Sequence, residues 1–168
     1  IFPRMWPNDE RRNHPTYYKM WAGIDENPAR KPTFAENLTY FFRYQVNHMY
    51  WRYFMWNFAG RQNDIQSHGL NLSGNEPTNV SNGTKDLLHG NWITGIDFID
   101  EMRLGPQDNL PVDLANNAGK NKLFCLPLLL GLAGLIFHIK KSPKDSFVVF
   151  LLFFMTGLAI VLYLNQPP

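Results

Sequence analysis

Phe147-Val148-Val149-Phe150-Leu151-Leu152-Phe153-Phe154-Met155-Thr156-Gly157-Leu158-Ala159-Ile160-Val161-Leu162-Tyr163-Leu164 carries no charge, and 13 of its 18 residues are Leu, Ile, Val or Phe. At about −0.3 to −0.6 kcal/mol per such residue at mid-bilayer, insertion of this run gains roughly 4 to 8 kcal/mol, an upper bound because positions near the ends count less. A second run extends from Leu123 to Ile139, where only Pro127, Gly131, Gly134 and His138 are not plainly apolar. At a rise of about 1.5 Å per residue the two runs reach about 26 Å and about 27 Å, slightly under the hydrocarbon core of about 30 Å. Lys122 snorkelling and Tyr163 at an interface close the gap. Runs this long without a polar face are rare in water-soluble folds, so two membrane spans are expected rather than two soluble core helices.

Between the runs lie Lys140, Lys141, Ser142, Pro143, Lys144 and Asp145. These leave room for a reversal and little else, which makes residues 123–164 a two-helix transmembrane hairpin (123–139 and 147–164). The turn holds Lys140, Lys141 and Lys144, against Lys120 and Lys122 ahead of the first run. Basic residues favour the cytoplasmic side, so the turn is expected in the cytoplasm and residues 1–122 outside it. Gly131, Ala133 and Gly134 form a small-residue patch suited to close approach by another helix, so further spans are expected beyond these residues.

The mean hydropathy of −0.29 conceals this concentration of apolar residues in the last quarter of the chain. A formal net charge of +2 over 168 residues gives no case for nucleic acid as a partner. Cys125 is the single cysteine, which excludes an internal disulfide and a Cys-based zinc module. The opening at Ile1, with no signal-peptide pattern, and the end at Asn165-Gln166-Pro167-Pro168 read as an excerpt of a longer protein.

Residues 33–60 read as one amphiphilic aromatic helix. Thr33 with Glu36 is a capping box, Pro32 bars helix from upstream, and Gly60 suits the residue after a last turn. Aromatic side chains lie nearly all round it, while Arg43, Gln45, Asn47, His48, Arg52 and Asn57 make a membrane crossing expensive. An interfacial position is therefore expected. At 100° per residue His48 and Arg52 share a face, while Arg43, nine residues from Arg52, falls opposite and clusters with Asn47. The polar stretch Gly60-Arg61-Gln62-Asn63-Asp64-Ile65-Gln66-Ser67-His68-Gly69 follows. An Arg on an aromatic wall beside a bilayer can clamp a phosphate bidentately. The candidate lipid-phosphate or substrate site is thus His48, Arg52, Arg61, Asn63 and Asp64, with Asp64 orienting an Arg or serving as a base. The competing reading has the Arg residues stack on Trp51 and Trp56, pair with Asp64 and anchor the helix at the head groups.

Residues 1–32 read as an extracytoplasmic loop segment with a short helix around Pro15 to Ala22. Residues 61–122 form an extracytoplasmic loop region with a short helix near 93–103 that buries Ile96, Ile99 and Met102. Asp97, Asp100 and Glu101 could offer carboxylates to a divalent cation, but a solvated face with an Asp100–Arg103 pair is the plainer reading, and no metal or cofactor is assigned. Sequons at Asn37, Asn71, Asn79 and Asn82 are incidental to an Asn-rich composition. Phosphate loops, dinucleotide fingerprints and nucleophile elbows are absent from the sequence. The expected fold is mainly α: a membrane protein fragment with one interfacial aromatic helix, an irregular extracytoplasmic region and the transmembrane hairpin.

The stretch Tyr44-Gln45-Val46-Asn47-His48-Met49-Tyr50-Trp51-Arg52-Tyr53-Phe54-Met55-Trp56-Asn57-Phe58-Ala59-Gly60-Arg61-Gln62-Asn63-Asp64-Ile65-Gln66 resembles an internal part of the domain-of-unknown-function 2723 family of bacterial multi-spanning membrane proteins. So do Gly90-Asn91-Trp92-Ile93, Leu126-Pro127-Leu128-Leu129-Leu130-Gly131, Thr156-Gly157-Leu158-Ala159-Ile160 and Tyr163-Leu164-Asn165-Gln166-Pro167-Pro168. That family is related to protein O-mannosyltransferases. The resemblance implies a GT-C-type membrane glycosyltransferase of the bacterial inner membrane, with residues 1–122 facing the periplasm. Its partners would be membrane lipid, a polyprenyl-phosphate sugar donor and a protein or glycan acceptor. The family's catalytic acidic residue usually sits in an upstream loop outside these residues, so no catalytic residue is carried over and this part alone is expected to be inactive. The rival expectation is a non-catalytic membrane component of assembly or transport with an anchor helix.

Overall fold

The computed structural model describes residues 14–24, 30–67, 69–71 and 84–164, and it is mainly helical. In chain order the elements are α1 (His14–Ala22), α2 (Phe34–Tyr40), a π-helical segment (Phe41–Trp51), α3 (Arg52–Phe58), β1 (Gly60–Arg61), β2 (Leu70–Asn71), β3 (Thr84–Lys85), α4 (Asp97–Leu104), α5 (Val112–Ala115), β4 (Asn121–Lys122), α6 (Leu126–Lys141), α7 (Pro143–Thr156) and α8 (Leu158–Leu164). The chain divides into two compact units, one of Ile1–Tyr50, Ser67–Asp86 and Val161–Pro168, the other of Trp51–Gln66 and Leu87–Ile160. Sequons at Asn79 and Asn82, and most of the loop segment 1–32, lie outside the described residues.

The first unit is organised by rings. Thr33 caps α2 as its spacing predicts: the Glu36 amide donates to its hydroxyl at 3.3 Å, and the Thr33 amide donates to the Glu36 carboxylate at 2.7 Å. Arg30 grips the same carboxylate with both guanidinium nitrogens, at 3.1 and 2.6 Å. The Arg30 bond, the Thr33 amide, the Thr33 hydroxyl and the Arg30 charge together hold the Glu36 carboxyl at about 2. Tyr18 and Tyr40 are completely buried, 4.4 Å apart between centroids, and Tyr18 donates its hydroxyl to the buried side chain of Asn37. That bond occupies one of the four sequons. Burial, with a smaller part from the Glu36 charge, pushes the Tyr18 phenol up to about 12.

Residues 33–60 do contain a helix, over Phe34–Phe58, but its middle eleven residues are π-helical. π-Geometry bonds residue i to i+5 and rarely lasts beyond a single turn. Here the rings supply a reason. The wider turn brings residues four apart closer to vertical alignment than an α-helix does, and Tyr40, Tyr44 and His48 stack in sequence at 5.3 and 5.6 Å. Trp21 of α1 packs against Tyr44 and His48 at 5.4 and 5.2 Å. β2 and β3 pair antiparallel in the same unit, Leu70 opposite Lys85.

The second unit is knotted around Gly60. Its φ is +142°, and a Cβ there would lie 2.7 Å from the Asn121 carbonyl oxygen and 2.9 Å from that of Ile93, so only glycine fits. β1 pairs antiparallel with β4, Gly60 opposite Lys122, and Arg61 bridges to Trp92 on the other side. The Leu123 amide donates to the Ala59 carbonyl and the Phe124 amide to the Thr94 carbonyl, at 3.0 and 2.9 Å. These bonds correct the expected start of the first apolar helix. Leu123 and Phe124 are tied to distant backbone, Phe124 and Cys125 adopt positive φ, and α6 begins only at Leu126.

Only Ser142 separates α6 from α7, so the expected turn at 140–145 is nearly all helix. Lys140 and Lys141 complete the last turn of α6, where cations offset the carbonyl end of the helix, and Asp145 lies in the first turn of α7. From Pro143 to Leu164 the chain forms one helical stretch of 22 residues, interrupted at Gly157. With mean hydropathy 2.7 and nothing in its most apolar window buried, it is long and apolar enough to cross a membrane. α6 buries no residue either.

α4 lies within the expected region but faces the other way. Asp100 points inward, 3% exposed, where its carboxylate accepts the Thr94 amide at 2.7 Å, the Thr94 hydroxyl at 3.0 Å and the Gly95 amide at 2.7 Å. A carboxylate thus takes the position expected of apolar side chains. Ile96 and Met102, expected to be buried, are exposed, and the expected Asp100–Arg103 pair gives way to separate anchoring of each residue.

Thr33→Ala is expected to destabilise the chain by about 1 kcal/mol through loss of the α2 cap, read as a lower thermal midpoint in detergent. Glu36 has a folded pKa below its unfolded one, so its stabilisation is complete above the ordinary carboxylate range and is lost as pH falls towards 2. Glu36→Gln should therefore lower the midpoint near neutral pH, and its difference from the parent chain should shrink across that acid window.

Candidate functional site

In the second unit the segment following α3 is fixed by two carboxamides with no exposed surface. The Gln62 side chain donates to the Leu87 carbonyl at 3.0 Å and to Gln107 Oε1 at 2.9 Å, and accepts from Asn91 at 3.1 Å. Asn63 donates to the Leu88 carbonyl at 2.7 Å, while its Oδ1 accepts the amides of Gly90 at 2.7 Å and Ile65 at 3.3 Å. Asn63, expected to touch a ligand, is committed to the backbone around it. Buried carboxamides need partners for every polar atom, and here main-chain groups supply most of them.

Gly90 is the pivot between this network and the cationic residues. It has φ +59°, and a Cβ there would lie 2.5 Å from the Ile65 carbonyl oxygen and 3.0 Å from a guanidinium nitrogen of Arg52. The Gly90 carbonyl accepts that Arg52 guanidinium at 2.9 Å. Arg52 also lies over the Trp56 ring, its Cζ 4.9 Å from the centroid, and Arg61 lies over the same ring at the same distance. Trp56 Nε1 and Arg61 Nε are both buried without a hydrogen-bond partner among the described residues. No carboxylate among the described residues stands within ion-pair distance of Arg61.

Two other expected members of the site fall elsewhere. Asp64 is exposed, makes no ion pair among the described residues, and packs its Cβ against Gly119, so it neither orients an Arg nor pairs with one. His48 belongs to the first unit. Its ring is stacked on Tyr44 and packed against Trp21, its Nε2 lies 3.3 Å from the Ser67 carbonyl oxygen, and Gly69 sits so close that an added Cβ would be 2.4 Å from its Cε1. Arg43 and Asn47 are both exposed, and Trp51 stacks on Phe54 instead of on an Arg.

Arg103 shows how this unit uses a guanidinium purely for structure. Its Cζ lies 3.2 Å from the Trp92 ring centroid, it donates to the Trp92 carbonyl at 3.0 Å, and burial lowers its pKa while the Asp100 charge works in the opposite direction. Sequence reading missed this pair, since Trp92 and Arg103 meet only once α4 is folded back. The carboxylates considered for a cation do not converge: Asp100 is bonded internally and Asp97 lies 3.7 Å from Lys122. Among the described residues no three His, Cys, Asp or Glu side chains stand close enough to hold a metal. What remains of the site is two guanidiniums sharing one indole, an arrangement chemically suited to an anion with several acceptor oxygens.

A family described as a family of unknown function, DUF8416, matches residues 1–42. The match reaches α1 and α2 and stops short of the residues that bear the Arg–Trp arrangement. No curated protein and no solved structure matches the chain.

Asn63→Ala is expected to cost about 1–3 kcal/mol for each backbone group it orphans, seen as a large fall in unfolding midpoint in detergent. Asp64→Ala should stay within about 0.5 kcal/mol of the parent chain. Equal effects would contradict the division of labour between these neighbours.

Proposed function

We propose that the chain is part of an integral membrane glycosyltransferase of the GT-C type, similar to protein O-mannosyltransferases, that takes a sugar from a polyprenyl-phosphate donor and passes it to a protein or glycan acceptor. In this reading α6 and α7–α8 form a hairpin across a bacterial inner membrane and residues 1–122 face the periplasm. The resemblance carried by residues 44–66 supports the enzyme class. The exposed apolar surface of α6 and of Pro143–Leu164 supports the bilayer.

One observation carries the donor site. α3, which bears Arg52 and Trp56, packs against α6, and its Phe54 meets Phe153 of α7 edge to face at 6.1 Å. The guanidinium pair therefore stands beside the apolar helices, where the phosphate of a lipid-linked sugar would lie. Arg61 and Arg52 bind phosphate oxygens and Trp56 holds the two side chains apart as a wall. No catalytic residue is assigned among these residues. The reading as a non-catalytic assembly or transport component is favoured by a different feature, the Gly90 carbonyl already bound to Arg52, which suits an anchor.

Full-length protein in detergent, given a polyprenyl-phosphate sugar and an acceptor, is expected to transfer the sugar. Arg61→Ala should reduce transfer by about 10- to 100-fold, matching about 1.5–3 kcal/mol for a hydrogen bond to a charged group. Arg61→Lys should recover only part of the loss, because an ammonium cannot reproduce the bidentate fork. Absence of transfer in the parent protein supports the non-catalytic reading, and full activity in Arg61→Ala rejects the phosphate clamp.

A further inference from the structure

α4 has two unlike faces. At 3.6 residues per turn Phe98 and Met102 lie opposite Asp100 and Leu104. Asp100 and Leu104 are 3% and 5% exposed, whereas Phe98 and Met102 are 74% and 73% exposed. Burying one such side chain is worth about 1.5–3 kcal/mol, so a helix free to rotate would turn them inward. It is not free to rotate. The Asp100 carboxylate is held by the amides of Thr94 and Gly95 and by the Thr94 hydroxyl, and turning it outward would strip three hydrogen bonds from a charged acceptor.

The outward stripe does not stand alone. The Phe124 amide donates to the Thr94 carbonyl at 2.9 Å, a Cβ on Gly95 would approach the Phe124 ring to 3.1 Å, and Lys122 Nζ lies 3.7 Å from Asp97. The start of α4 is therefore stitched to the residues that launch α6. Phe124 and Leu126, the aromatic and aliphatic side chains at that launch point, are themselves exposed, as is Ile96 just ahead of α4. Exposed apolar side chains thus occur both at the start of α6 and on α4, with Lys122 held near Asp97.

We propose that α4 and the 122–126 segment form a collar lying in the plane of the lipid head groups, with Phe98 and Met102 inserted into the acyl boundary. The proposal rests on the reading that places α6 and α7–α8 in a bilayer. Lipid is the occupant that fits, because the start of α4 is bonded to the segment that leads into the exposed, apolar α6, and insertion at an interface needs apolar area and flanking cations but no matching contour. The collar's role is to fix the height and tilt of the second unit over the membrane. It joins the bilayer surface rigidly to the backbone knot around Gly60.

The test uses the chain with Cys125→Ser, carrying a nitrobenzoxadiazole label at one introduced cysteine and reconstituted in phosphatidylethanolamine–phosphatidylglycerol vesicles. Labels at Met102→Cys and Phe98→Cys are expected to be quenched several-fold more by lipids bearing a nitroxide near the head group than a label at Glu101→Cys, and several-fold less by aqueous iodide. Two positions are used so that one badly folded variant does not decide the matter. Iodide quenching equal to that at Glu101→Cys overturns the collar by showing a water-facing stripe. Protection from both quenchers overturns it in favour of cover by another segment or a second copy. Phe150→Cys on α7 separates the two levels: lipid quenching there without quenching at residues 98 and 102 rejects the collar alone, while its absence at all three rejects the bilayer placement itself.

Discussion

The carboxamides of Gln62 and Asn63 replace water for a stretch of backbone 25 residues further along the chain. Leu87 and Leu88 present carbonyls, and Gly90 an amide, to these two buried side chains, and an unmatched group there would cost about 1–3 kcal/mol. A hydrophobic residue at position 63 would fill the volume and leave those groups orphaned. Because Asn63 fixes the Gly90 amide, the Gly90 carbonyl is fixed too, and that carbonyl sets where the Arg52 guanidinium can rest. The position of the Arg52 guanidinium over Trp56 is thus inherited from a neutral side chain with no charge of its own. A second constraint, the lack of room for any side chain at Gly60, keeps the three strand-like segments close enough for that network to close.

Much of the fold is legible in the sequence where the cause is local. The cap on α2 follows from Thr33 and Glu36 alone, and the apolar stretch after Pro143 needs no tertiary information to be recognised. Causes that act across the chain are invisible in the same way that they are decisive. Leu123, Phe124 and Cys125 carry apolar side chains and look like a helix start, yet the amides of Leu123 and Phe124 bond to residues 59 and 94. The π-helical segment keeps the caps and composition of an α-helix. Only the recurrence of rings at 40, 44 and 48, matched to rings at 18 and 21, selects the wider turn. α4 shows the same lesson in another form, since hydrophobicity assigned its faces and a buried carboxylate reversed them.

The candidate site divides along the same line. Arg52 and Arg61 stand out in sequence because cations embedded among aromatics near a membrane are costly without a use. His48 and Asn63 stand out equally, but their polar atoms serve the fold: one in a ring stack, the other in a backbone cradle. Nothing in residue type separates those cases, since a His that stacks and a His that binds a ligand have the same spelling. Trp56 enters the sequence reading only as an anchor, though it is the surface on which the two guanidiniums converge.

Comparison within the second unit sharpens what that convergence means. Arg103 has one ring, one carbonyl and the field of Asp100, which suffices to hold a partly buried guanidinium in place. Arg61 has a ring that it shares with a second cation, an enclosed Nε without a partner among the described residues, and an aspartate three positions on that faces solvent. Each guanidinium is 4.9 Å from the same ring centre, so the two are at most about 10 Å apart. At an effective dielectric of about 20, like charges at that separation repel by about 1.7 kcal/mol. Salt would screen much of this in open water, over a length of about 8 Å, but screening weakens beside a low-dielectric slab. A head-group anchor requires one cation reaching into water and gains nothing from a second on the same ring. The Arg52–Trp56–Arg61 group therefore gathers two like charges at one ring, with no carboxylate among the described residues within ion-pair distance of Arg61.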